Sequence, residues 1–117
     1  MKTNLDEKLR DIYNQTKSAD MREHLYTLKS YAEKSRHITE MGVREVVSTW
    51  AFLAGKPEVL RSYDIFHPKK FQASSELNNA INISNEHRID YKFILQNVLE
   101  ADIAETDLLF IDTWHVY

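Results

Sequence analysis

The sequence predicts an α/β domain: a mainly parallel sheet with helices on its faces, entered through two N-terminal helices. Three observations predict it. From about residue 36 onward, short β-branched or apolar runs alternate with segments of helical period, the pattern of strand–helix–strand units. Those runs end on glycine or aspartate, at Gly42, Asp64 and Asp112, residue types that favour the turn out of a strand. Finally, 117 residues with 43% hydrophobic and 28% charged side chains supply one core and exclude wholesale disorder.

Each element has its own signal. Leu5, Leu9, Ile12 and Tyr13 form one stripe of a polar first helix reaching about residue 16. Ser18 to Asp20 offer N-cap chemistry for a second helix, whose period is set by Met21, Leu25, Leu28, Tyr31 and Ala32 and which runs to about Ser35. His37 to Met41, with Ile38 and Thr39, reads as a strand stopping at Gly42. Glu45 to Ala54 reads as a buried helix halted by Gly55 and Pro57, with Trp50 and Phe52 in the core. Val59 to Ile65 is a second strand and Phe66 to Ala73 a loop. Ser74 or Ser75 caps a helix carrying Leu77, Ala80, Ile81 and Ile83. Ile89 to Leu95 alternates as a third strand. Val98 to Ile103 is a loop or short helix. The apolar run Leu108 to Ile111, bounded by Asp107 and Asp112, reads as a parallel strand buried on both faces. Residues 1–35 thus form a helical segment and 36–117 an α/β segment.

Composition excludes several classes. The net charge is -3 with signs interspersed, and no basic block suggests a nucleic-acid partner. No apolar run approaches the roughly 20 residues that cross a membrane. Met1 to Asp11 has no apolar core of a signal peptide. Cysteine is absent, which removes disulfides and thiolate metal sites. A cytoplasmic setting is the expectation.

Three landmarks fall at strand ends, where open α/β sheets bind ligands. Glu40-Met41-Gly42 leads into Ser48-Thr49 near a helix start. Gly42 either admits a ligand to the backbone or only makes a tight turn. Asp64 follows Gly42 by about 20 residues, the spacing at which a carboxylate meets ribose hydroxyls. Asp112 and His115 follow the last strand closely enough to work as base and orienter, to share a metal, or merely to form a turn.

These segments resemble the class I S-adenosylmethionine (SAM)-dependent methyltransferases, in particular the small-molecule O-methyltransferase type. His37 to Thr49 is similar to the first motif, whose turn reads E-x-G-x-x-x-G-x-S. Ser62 to Ile65 resembles the second motif. Asp107 to Tyr117 resembles the fourth-strand pattern D-x-x-F-I-D-x-x-H-x-Y, the most specific match. The resemblance runs from about residue 20 to the C-terminus. It implies a Rossmann-like three-layer sandwich, here with about four strands in the order 3-2-1-4. It implies that Glu40 and Gly42 lie near the methionine end of SAM, with Ser48 or Thr49 near its carboxylate. It places Asp64 on the ribose and Asn97 where an acid contacts the adenine. Asp112, with His115 nearby, would face a small-molecule acceptor or a divalent metal such as magnesium, with Asp112 as a ligand. Two departures stand out. The later glycine of the first motif is missing from Val43-Arg44-Glu45-Val46-Val47, which narrows the approach or reroutes the loop. Family members also continue for three more strands. The fourth strand is therefore expected to be an edge, covered by a second copy or by a missing C-terminal half.

Two functions follow as expectations: methyl transfer from SAM to a small hydroxylated acceptor, or a non-catalytic truncated relative serving in binding or oligomeric assembly. A different nucleotide binder also suits the Gly42–Asp64 arrangement, although no G-x-G-x-x-G is present.

Overall fold

The computed structural model describes residues 2–16, 19–96 and 105–111, with the backbone alone for residues 19 and 20. Helices α1 (Leu5–Gln15) and α2 (Ala19–Ala32) lead into β1 (His37–Met41), α3 (Ser48–Ala54) and β2 (Val59–Asp64). A 3-10 turn (Pro68–Phe71), α4 (Ser74–Glu86), β3 (Asp90–Leu95) and β4 (Leu108–Ile111) follow. Every strand pair is parallel and the order is β3-β2-β1-β4. The Rossmann-like α/β architecture and its strand order are those expected.

Local chemistry explains the elements. Asn4 caps α1, its side chain accepting from the amides of Asp6 and Glu7 at 2.9 and 3.1 Å. The acids Asp6 and Glu7 then sit in the first turn, where the helix dipole favours negative charge. Lys29 of α2 reaches Asp6 at 2.9 Å and holds its carboxyl below the usual range. Of the expected caps Ser18 to Asp20 of the second helix, Ser18 lies outside the described residues and the side chain of Asp20 is not described. The start of β4 is pinned to β1: the Asp107 carboxylate accepts from the amides of His37 and Arg36 at 3.1 and 3.0 Å. Those two amides lower its pKa.

One core serves all the helices. Leu9 of α1 and Leu25 of α2 are fully buried with Trp50, Phe52 and Leu53 of α3, Ile38 of β1 and Leu60 of β2. Trp50 and Phe52 are core residues, as their period predicts. Gly55 marks where α2 and α3 cross. A β-carbon there would lie 2.4 Å from the Ala32 side chain and 2.8 Å from its backbone carbon. Its φ of -74° is ordinary for any residue, so packing alone requires the glycine. Gly55→Ala is expected to cost about 1–3 kcal/mol through overpacking, read as a lower urea midpoint with an unchanged slope. A midpoint equal to wild type would show that the helices part freely.

Two differences from the expected elements are physical. The helix read from Glu45 begins only at Ser48, because Arg44 and Val46 adopt positive φ of 50° and 63° and hold the chain in a turn. The run read as buried on both faces is not: Leu109 and Ile111 are 46% and 59% exposed, while Leu108 and Phe110 are half-buried. The cause is topology. The β1–α3–β2 and β2–α4–β3 crossovers step the same way across the sheet, so right-handedness puts both helices on one face. Trp50 Nε1 joins them, donating to Glu76 Oε2 at 3.2 Å, and Phe52 meets Phe110 edge-on at 5.3 Å. The opposite face of β4, and its outer edge, have no cover among the described elements. Among the described residues no helix is long and apolar enough to cross a membrane.

Candidate functional site

The carboxyl ends of the parallel strands converge on the loop between β1 and α3. Gly42 leaves β1 with φ 94°, a conformation only glycine adopts without cost, and its amide donates to the Tyr63 carbonyl at 2.8 Å. Left-handed residues then alternate with ordinary ones through Arg44 and Val46. Val46 occupies the place of the missing glycine, four residues after Gly42. It is a β-branched side chain in the left-handed region, an arrangement costing about 1–3 kcal/mol. The side chain is fully buried in the core. The loop therefore keeps the glycine geometry, and Val46 turns inward.

Asp64 fastens this loop to the sheet. It ends β2, is 8% exposed, and its Oδ2 accepts the Val43 and Arg44 amides at 2.8 and 3.1 Å. Successive amides converging on one anion form a backbone nest. Oδ1 accepts the Phe66 amide at 3.1 Å. An ionised carboxylate offers about four acceptor positions, so one remains for a further donor. Beside it, at the ends of β2 and β3, Ile65, Phe66 and Leu95 leave apolar surface exposed, at 37%, 41% and 58%.

Beneath the loop lies a buried polar cluster. Glu40 is fully buried, and its carboxylate accepts from the hydroxyls of Ser48, of Thr49 at 2.7 Å and of Ser62 at 2.8 Å. Hydrogen bonds to an ionised acceptor are the stronger kind and offset the cost of burying it. Burial, then the charge of Glu40, push the Tyr91 phenol well above its usual pKa. Ser48 and Thr49 are themselves almost wholly buried at the start of α3.

On the other side of the loop a cavity of about 610 Å³ opens between α2, the loop and the end of β4, a volume typical of small-molecule sites. Met21, His24, Thr27, Leu28 and Tyr31 of α2 form one wall, and Val43, Arg44, Glu45, Val47 and Ser48 another, with Phe110 and Ile111 at the floor. His24 is one of these wall residues and is exposed.

The expected site residues fall into three groups. Gly42, Asp64, Glu40, Ser48 and Thr49 are brought together around one loop. Asn97, Asp112 and His115 lie outside the described residues, as does Trp114. The α2 wall and Arg44 were not singled out by sequence reasoning. The only signal for them was the spacing of His24, Thr27 and Tyr31, one turn apart on a helix read for its apolar stripe. Among the described residues no three His, Asp or Glu side chains are gathered for a metal.

No family model matches the chain, and no curated protein matches it. Among solved structures, it is similar to the crystal structure of the Podospora anserina methyltransferase PaMTH1 bound to S-adenosylhomocysteine (SAH). The TM-score is 0.57 and the identity 24%, over 97% of this chain and 51% of that one. The chain thus spans about half the length of that structure, and what the likeness establishes is the fold: a Rossmann-type parallel α/β sheet.

Proposed function

We propose that the chain binds SAM across the carboxyl ends of its strands and is the cofactor-binding part of a methyltransferase acting on a small-molecule hydroxyl. The observation that supports this most is the Asp64 clamp. A strand-end carboxylate with one acceptor position left stands between an exposed apolar ledge and a 610 Å³ cavity. The free position suits one ribose hydroxyl, the ledge of Ile65, Phe66 and Leu95 a flat base, and the cavity the methionine end. When bound, SAM supplies a methyl group activated on sulfur. The chain's own residues bind and orient: Asp64 and the Gly42 loop hold the nucleoside side, and the α2 wall excludes water from the cavity. Asn97 at the adenine, and Asp112 with His115 lowering the acceptor's pKa directly or through magnesium, belong to the same reading, as does a cytoplasmic setting.

The test is calorimetric titration of the purified chain with SAH. Saturable binding with unit stoichiometry is expected. A folded sample, verified by circular dichroism, that takes up no SAH would overturn the reading.

A second reading is an assembly module without turnover. It is favoured by the edge of β4, uncovered among the described elements, where Leu109 and Ile111 are exposed. Self-association that is concentration-dependent in sedimentation, and indifferent to SAH, would support it.

A further inference from the structure

On both sides of Val46 the chain lines the cavity, with Val43, Arg44 and Glu45 before it and Val47 and Ser48 after it. Val46 is instead fully buried in the core that holds Leu25, Ile38 and Phe52. Its φ of 63° is one that a β-branched residue adopts only against strain and a glycine adopts freely. That strain and the gain from burying a valine side chain are of similar size and opposite sign. Net stability therefore gives no reason to prefer valine to glycine here. The two differ in freedom: a glycine would remove the side chain from the core and make this the most mobile backbone position any residue allows. The loop is tied above, where Asp64 accepts the Val43 and Arg44 amides at 2.8 and 3.1 Å. It is tied within itself, the Val46 amide donating to the Val43 carbonyl at 3.0 Å. The Val46 side chain ties it below.

We infer that Val46 is a positioning residue, which presets the shape of the ligand-facing loop from inside the core and touches no ligand itself. The inference rests on the SAM reading above and adds to it where the rigidity of the loop comes from. A loop already held in its binding shape is not ordered at the ligand's expense, so less of the contact energy is lost. The left-handed valine thus trades backbone strain for a fixed cavity wall. A glycine would give the same turn without strain and without the anchor.

The experiment is Val46→Gly, followed by urea denaturation, by hydrogen exchange and by calorimetric titration with SAH. The urea midpoint should stay close to wild type, because strain and burial are lost together. Exchange at the Val43 and Arg44 amides should quicken by about tenfold while Ile38 and Leu60 in the sheet stay protected. SAH should bind about tenfold more weakly, since apparent affinity falls with the fraction of chains whose loop is in the binding shape. Saturating SAH should then restore protection at Val43 and Arg44, a change that a merely structural residue would not show. Val46→Ala keeps the left-handed strain and loses most of the anchor, so its midpoint should fall below that of Val46→Gly. Equal SAH affinity in wild type and Val46→Gly would overturn the inference. Tighter binding by Val46→Gly would overturn it too, and would mean that the valine obstructs the site. A Val46→Gly chain that does not fold would assign Val46 to stability alone and overturn it as well. A folded wild type that takes up no SAH overturns the SAM reading and this inference with it, whereas a wild type that binds SAH with an affinity indifferent to Val46→Gly overturns only this inference.

Discussion

Glu40→Ala is expected to destabilise the fold by about 3–5 kcal/mol, the largest effect of any single polar change here. Three hydroxyls, on Ser48, Thr49 and Ser62, donate to this one carboxylate, and all four residues are almost wholly shielded from water. Hydrogen bonds to a charged group contribute about 1.5–3 kcal/mol each. The relief of a buried charge offsets part of their loss. The truncation also leaves a void between β1 and the start of α3, which adds a cavity term. For a domain of this size such a loss is a large part of the whole stability. Urea denaturation followed by circular dichroism measures it. Glu40→Gln keeps the shape and one acceptor oxygen and should cost less than half as much. A Glu40→Ala protein within about 0.5 kcal/mol of wild type, the range of neutral surface changes, would mean that the hydroxyls find other acceptors and the cluster is not structural.

The cluster shows what was legible in the sequence and what was not. Strand and helix identities follow from period and from the landmarks at Gly42, Gly55 and Asp64, and the order 3-2-1-4 follows from the resemblance of those landmarks to known motifs. The start of α3 was read three residues too early, because Val46 and Val47 extend the apolar run of the helix that follows and nothing in them announces a positive φ. The pair of β-branched residues is forced into the turn by the pull of Asp64 on the amides before it, a contact 20 residues distant in sequence. The burial of β4 was overestimated because four apolar residues in a row do not say which face the helices choose; the handedness of two crossovers decides that. Glu40 was legible as a site residue, yet its burial beneath three hydroxyls depends on where Ser62 of the next strand lands, and register Glu40↔Ser62 is a tertiary fact. Arg44 carried no signal, since a charged residue in a loop ordinarily reads as solvated.

Asp64→Ala should both loosen the loop and abolish SAH binding, and the two losses can be measured apart. The loop contains two non-glycine residues, Arg44 and Val46, in the left-handed region. Each costs about 1–3 kcal/mol, so the loop stays in this shape only while other interactions offset the strain. Asp64 is the main one visible: its carboxylate binds two amides of the loop and that of Phe66. Removing it is expected to lower global stability by about 2–4 kcal/mol. Hydrogen exchange at the amides of Val43 and Arg44 should quicken more than at Leu60 or Ile38 in the centre of the sheet, because strain released locally opens the loop before the core. Asp64→Asn separates clamp from ligand. Its carbonyl oxygen can still accept the loop amides, so exchange should quicken only in part. Its amide cannot accept at the position left for a ribose hydroxyl, so SAH should still bind weakly or not at all. If instead Asp64→Asn binds SAH like wild type while Asp64→Ala does not, the carboxylate serves binding only through the loop. The ribose would then have to be held by another acceptor. Unchanged exchange at Val43 and Arg44 in Asp64→Ala would show that the strained turn is held by the burial of Val46 alone.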